Sequence, residues 1–228
     1  MIKDIHIGKR ILLMNIFDRL LHHYGQQNWW PSDSPFEVII GAILTQSASW
    51  RNVEKAIGNL KHMQVLDPVS LLELPHSKLA EIIRPSIYFN TKARKIKAFC
   101  AYLREYYNFD LNRLLEHDLE TLRWELLSIY GIGYETADAI ILYAAQQPIF
   151  VIDNYTRRIF NRLDLAPRDI SYASLQELFT LNLQPNLYIF NEYHALLDQH
   201  GAAACKKTPI CQDCCLLDIC PTGMRYTS

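Results

Sequence analysis

Residues 130–158 read YGIGYETADAIILYAAQQPIFVIDNYTRR, and the fold turns on how this stretch is parsed. Gly131 and Gly133 bracket Ile132 between two helical patterns, which predicts a tight helix–hairpin–helix turn. The glycines let the backbone approach another group closely, while Ile132 tucks into the helix pair. Free amides at the start of the second helix suit a phosphate opposite them. A plain packed turn has the same composition, so the next segment of chain carries weight. After one helix and Pro148, apolar residues 149–152 lead straight into Asp153 at another helix start. Asp153 reads as an N-cap on helix grounds alone. It also reads as a carboxylate held beside the hairpin, with Arg157, Arg158 and Arg162 behind it or forming a solvated face.

Outward from this stretch the periodicity is helical almost throughout. Leu12, Leu13, Ile16, Phe17, Leu20, Leu21 and Tyr24 make one apolar face that Gly25 stops. Ser34-Pro35-Phe36-Glu37 is a capping box with proline at the first helical position. Asp67-Pro68 and Asp118 open further helices. Asn90 is placed to cap a long one over residues 91–107, and Pro185 precedes another that Gly201 ends. The run 149–152 is the one β-like segment and is too short to build a sheet. The fold class is all-α.

Composition excludes several classes. Of 228 residues, 50% are hydrophobic and 21% charged, which is globular and not fibrous or disordered. Lys plus Arg number 23 against 24 Asp plus Glu, so bulk charge gives no sign of a nucleic-acid partner. Any positive surface must be local, with Lys206, Lys207, Arg157, Arg158 and the segment from Lys92 to Lys97 as candidates. No uncharged run reaches the length of a membrane span, and the N-terminus lacks a small-residue cleavage site. A cytoplasmic protein is expected.

The cysteines are asymmetric. Only Cys100 lies outside the last stretch, where the spacing is Cys205-x5-Cys211-x2-Cys214-x5-Cys220. In a reducing compartment this points to a metal site, either tetrahedral zinc or an iron–sulfur cluster. Zinc usually pairs two close knuckles, and a single compact loop suits one [4Fe–4S] cubane better. Cys215 leaves a second spacing open, x3 then x4.

Together these elements resemble the helix–hairpin–helix DNA glycosylases of the endonuclease III superfamily, across nearly the whole chain. The resemblance implies a six-helix barrel over residues 31–146 that ends in the hairpin. A discontinuous helical lobe, 1–30 and 147–228, would carry the cluster loop at 205–220. DNA would lie across the cleft. Asp153 matches the catalytic aspartate, and Gly131, Ile132 and Gly133 match the hairpin that holds the DNA backbone. Gln46 matches the glutamine that fills the gap left by an extruded base. Cys205, Cys211, Cys214 and Cys220 match the cluster ligands, although the first arm is one residue shorter than the common pattern.

Bifunctional members carry a lysine two residues after the second glycine. Glu135 stands there, and a carboxylate cannot form a Schiff base. The chain is most similar to the 3-methyladenine DNA glycosylase III group. That similarity rests on Trp29-Trp30-Pro31, on Leu44-Thr45-Gln46 followed by Trp50, on Arg84-Pro85-Ser86 ahead of Asn90-Thr91-Lys92-Ala93, and on GIGYETADAI. It implies a base pocket of Trp29, Trp30, Trp50 and Glu135, although each tryptophan could equally be core.

The expected function is monofunctional excision of a damaged base, an alkylated purine such as 3-methyladenine, from double-stranded DNA. The expected state is a nucleoid-associated monomer with no membrane partner. Rival readings are a mismatch thymine or uracil glycosylase and an endonuclease III-like glycosylase with lyase activity. A third, of a different class, is a non-catalytic DNA-binding protein with structural zinc.

Overall fold

The structure is a computed structural model that describes residues 2–227, with side chains from residue 7 onward. In chain order the helices are α1 (Ile2–Tyr24), α2 (Pro35–Thr45), α3 (Trp50–His62), α4 (Pro68–Glu73), α5 (His76–Ile82), α6 (Phe89–Tyr107) and α7 (Leu111–Leu115). Then come α8 (Leu119–Ser128), α9 (Tyr134–Tyr143), α10 (Asn154–Arg162), α11 (Tyr172–Thr180), α12 (Leu187–Ala203) and α13 (Pro221–Thr227). No strand occurs among the described residues, and no helix is long and apolar enough to cross a membrane.

Most helix starts follow from local capping chemistry. Ser34 accepts a hydrogen bond from the Glu37 amide at 3.2 Å, and Glu37 in turn accepts from the Asp33 amide at 3.1 Å. Asp67 and Asp118 cap α4 and α8 in the same way. Two expectations fail. Asn90 is not a cap, because α6 begins one residue earlier at Phe89, after Ile87 and Tyr88 in left-handed conformations. Gly201 does not end α12, which runs on to Ala203. The ring of Tyr155 packs on Gly201 so closely that an added Cβ would lie 2.3 Å from its Cδ1. That glycine makes room for a neighbouring side chain and does not stop the helix.

The chain divides into two compact units, Trp30–Gln147 and the remainder up to Trp29 and from Pro148. In the first, α8 and α9 flank the hairpin. Arg123 of α8 grips the fully buried Asp138 of α9 through two bonds, Nε to Oδ1 at 2.7 Å and Nη2 to Oδ2 at 3.1 Å. The same guanidinium lies 5.2 Å from the centre of the Tyr134 ring.

In the second unit the core is aromatic. Phe150 stacks on Phe179 at 3.6 Å and meets Phe190 and Tyr193 edge-on. Burial of this extended run would orphan its backbone groups, and α11 answers them. Gln176 donates to the Phe150 carbonyl at 2.6 Å, and the Ile152 amide donates to the Tyr172 hydroxyl at 3.3 Å. Side chains therefore replace a partner strand and deliver Asp153 to the start of α10.

Arg123→Ala removes the two-bond ion pair that ties the buried Asp138 of α9 to α8. Such a loss typically costs about 3–5 kcal/mol. Equilibrium urea unfolding should show it, and a change below about 1 kcal/mol would mean that the pair does not hold the hairpin.

Candidate functional site

The hairpin is asymmetric in what it asks of its glycines. Gly131 has φ +85°, and a Cβ there would come within 2.3 Å of Lys95 Cγ, whose stem lies across it. Gly133 is in ordinary extended conformation at the N-cap of α9, is exposed, and an added Cβ would meet nothing within 4 Å. The folded chain requires glycine at 131. At 133 it requires none, so that position is open to a close-approaching partner. Ile132 is buried between the helices, as its apolar character predicts.

Gln46 is tied to this hairpin. Its Nε2 donates to the Gly131 carbonyl at 3.0 Å and to Thr136 Oγ1 at 2.9 Å, and its Oε1 accepts from Lys95 Nζ. Partial burial pushes the Lys95 ammonium below its usual range. Lys92, one turn earlier, is almost wholly buried and donates to the carbonyls of Leu44, at 2.8 Å, and Ser86. Burial lowers its pKa to about 8, helped by the charge of Lys95. Sequence reasoning offered Lys92 as DNA-facing charge; the structure uses it to hold the end of α2 just before Gln46.

Trp30 and Trp50 meet edge-on, with centroids 5.2 Å apart and planes at 89°. Both line a pocket of about 210 Å³, together with Pro31, Glu37, Glu54 and Lys61. Glu37 is buried and paired with Lys61 at 2.7 Å, so a residue read only as a capping partner also serves the pocket wall. Trp29 and Glu135 are not among the lining residues; Glu135 is exposed in the first turn of α9.

Asp153 lies in the other unit. It is 8% exposed and its Oδ1 accepts from the Thr156 amide at 2.6 Å, which anchors the carboxylate at the positive end of α10. The three arginines that come after it are half-buried and engaged with backbone carbonyls. Arg157 donates to the Ile170 carbonyl at 2.6 Å, and Arg158 to those of Cys205 and Gly201 at 2.7 and 3.0 Å. Arg162 donates to the carbonyls of Lys206 and Lys207 at 2.7 and 3.0 Å. Arg158 and Arg162 fasten the cysteine loop to α10, and Arg157 holds the turn before α11.

Cys205, Cys211, Cys214 and Cys220 line one pocket, with Arg162 and His200 beside them. Arg162 Nη1 donates to Cys205 Sγ at 3.1 Å, and the Gly223 amide donates to Cys220 Sγ at 3.2 Å. Burial and the neighbouring sulfurs push the Cys211 and Cys214 thiols up, so a pocket of thiolates needs a bound cation to offset their repulsion. Among the described residues, no three such groups converge where one ion could be held. Four cysteine sulfurs lining one pocket are a donor set that an iron–sulfur cluster can take. Cys215 does not line this pocket. Burial raises its thiol to about 11, and its carbonyl is held by Arg19 of α1 at 3.3 Å. The donor set therefore fits a [4Fe–4S] group.

The sequence pattern of the HhH-GPD superfamily of base excision DNA repair proteins matches residues 40–185. The chain belongs to this superfamily. It is accordingly a DNA-binding base-excision-repair enzyme, a DNA N-glycosylase. A protein of Methanocaldococcus jannaschii named as a DNA repair glycosylase is 42% identical over 92% of this chain and 96% of its own length. A trapped endonuclease III–DNA covalent intermediate has the same fold, with TM-score 0.83 and 23% identity over 96% of this chain and 99% of that one. The 3-methyladenine DNA glycosylase of H. pylori bound to 1,N6-ethenoadenine aligns with TM-score 0.71 and 26% identity, over 86% of this chain and 96% of that one.

The two hairpin glycines should separate by mutation. Gly131→Ala forces a strained backbone against Lys95 and should destabilise the fold by about 1–3 kcal/mol. Gly133→Ala should leave the melting temperature unchanged yet weaken duplex binding irrespective of sequence, since phosphate contacts carry no sequence information. Titration of a fluorescent duplex, read beside thermal unfolding, checks both. Unchanged affinity in Gly133→Ala would reduce the hairpin to a packed turn.

Proposed function

We propose that the enzyme hydrolyses the N-glycosidic bond of an alkylated purine such as 3-methyladenine in duplex DNA, without a lyase step. The observation that carries the substrate class is the Trp30–Trp50 pocket. Two electron-rich rings at right angles and two carboxylates against one ammonium favour a cationic base. Each cation–π contact of this kind contributes about 0.5–2 kcal/mol. The likeness to the H. pylori 3-methyladenine glycosylase supports the same reading.

Extruding a base costs a few kcal/mol and leaves a gap in the stack. Gln46 fills that gap after leaving its bonds to Gly131 and Thr136, and the hairpin amides grip the backbone. A cationic purine is already a good leaving group. It departs with the glycosidic electron pair, and its positive charge is neutralised. The sugar passes through an oxocarbenium-like state that the Asp153 carboxylate stabilises, much as in glycoside hydrolysis. Asp153 also orients the water whose oxygen bonds to the anomeric carbon as one of its protons is lost to solvent. Glu135 at the lysine position supplies no amine, so the abasic strand is left intact.

We infer further that Cys205, Cys211, Cys214 and Cys220 hold one [4Fe–4S] cluster, with Cys215 as the spare. The cluster would act as a covalent staple for the loop that Arg158 and Arg162 fasten to α10.

Two experiments test these readings. Asp153→Asn keeps size and capping while removing the charge, and should slow base release by about 100-fold or more with little change in DNA affinity. The unmodified enzyme should give no borohydride-trapped adduct. An efficient adduct, or full activity in Asp153→Asn, would overturn the mechanism. For the cluster, Cys214→Ser should abolish the visible absorbance of the purified protein and Cys215→Ser should retain it; the reverse would exchange the two ligands.

A further inference from the structure

Helix α6 carries Lys92, Arg94, Lys95 and Lys97 in close succession, and each cation has its own partner. Lys92 donates to the carbonyls of Leu44 and Ser86, and Lys97 to those of Leu72 and Leu74. Arg94 is exposed, with its guanidinium 5.6 Å from the centre of the Tyr130 ring at the start of the hairpin. Lys95 instead donates from Nζ to Gln46 Oε1, on the side chain proposed to fill the gap in the duplex.

The stem of Lys95 is fixed on the hairpin. Its Cγ, Cδ and Cε would stand 2.3, 2.6 and 2.8 Å from a Cβ at position 131, so the glycine leaves room for this side chain to lie there. Partial burial penalises the ammonium. Among the described residues, neither Lys95 nor Lys92, one turn before it, is paired with a carboxylate, and the two charges oppose one another. The Gln46 carbonyl therefore answers a cation that has no anion. Once Gln46 leaves, that cation stands beside the hairpin without its acceptor, which costs free energy until another oxygen takes its place.

We propose that Lys95 is a phosphate-binding residue that exchanges its partner as Gln46 enters the duplex: in the free enzyme its ammonium holds Gln46 on the hairpin, and afterwards the same ammonium takes a phosphate of the DNA backbone. This rests on the reading of Gln46 given above. The stem stays across Gly131, and only the ammonium changes acceptor. Backbone contact and release of Gln46 thereby become one event. A duplex in which Gln46 stays folded gains nothing from Lys95, while one that admits Gln46 gains a phosphate contact.

The test is the salt dependence of binding by the full-length enzyme, read by fluorescence anisotropy on two duplexes of one sequence. One is undamaged. The other holds a tetrahydrofuran abasic-site analogue, which leaves a gap for Gln46 and has no glycosidic bond to cleave. Each phosphate neutralised by a cation steepens the fall of log affinity with log salt by about 0.9. Lys95→Met keeps an unbranched stem over Gly131 and removes the charge. On the abasic duplex it should flatten the slope by about 0.9, so that raising salt about fourfold costs the unmodified enzyme about 3.5-fold more affinity than the variant. On the undamaged duplex the two proteins should share one slope. Lys95→Gln, checked like Lys95→Met for an unchanged melting temperature, should behave alike. Equal slopes on the abasic duplex would overturn the proposal. So would an equal loss of slope on both duplexes, or a drop in affinity that salt does not alter. Gln46→Ala separates the two claims. An undiminished preference for the abasic duplex there defeats the reading of Gln46, whereas a lost preference beside an unaltered slope in Lys95→Met defeats only the role of Lys95.

Discussion

A carboxylate almost wholly removed from water has to be answered by fixed donors, and in this protein the N-terminus of α10 supplies them. Much of the second unit follows from that demand. The Thr156 amide binds Asp153 directly, at 2.6 Å. The extended run before it is buried through Phe150, and its backbone is satisfied by Gln176 and Tyr172 of α11. On its far side α10 carries three arginines whose donors go to backbone carbonyls, two of them around the cysteine loop. The same short helix thus holds the Asp153 carboxylate at one end and the cysteine loop along its flank. The carbonyls that Arg158 and Arg162 hold therefore tie the cysteine loop to the helix that Asp153 caps.

The barrel unit solves a different problem, that of presenting backbone amides without letting the turn collapse. Arg123 and Asp138 lock the two flanking helices, and Lys95 lies over Gly131 while bonding Gln46. Gln46 is therefore held ready on the hairpin, with both amide hydrogens and its carbonyl engaged before any duplex arrives. On the proposed reading, those hydrogen bonds are what Gln46 gives up when it fills the gap left by an extruded base.

What was legible in the sequence was mostly local. The caps at Ser34, Asp67, Asp118 and Asp153 depend on one side chain and an amide three residues on, so their chemistry is readable without the fold. The hairpin and the cysteine spacing are legible for the same reason. Gly201 was misread because its glycine answers a ring brought in from α10, and no pattern within α12 reveals that. Asn90 failed as a cap because Ile87 and Tyr88, both at positive φ, start α6 earlier than its capping chemistry suggests. The arginines after Asp153 look like a basic patch, and only the path of residues 201–207 shows Arg158 and Arg162 bonded to backbone carbonyls.

The central claim is that a buried aspartate, an electron-rich pocket and a hairpin without its lysine make this enzyme a monofunctional excision enzyme for cationic purines. The most direct measurement is a panel of duplexes, each holding a single lesion, incubated with the protein and resolved with and without hot alkali. The account predicts cleavage at 3-methyladenine, visible only after alkali, with uracil, thymine mismatch and oxidised-pyrimidine duplexes left whole. Strand breaks without alkali, or preferential release of one of those pyrimidines, would contradict it.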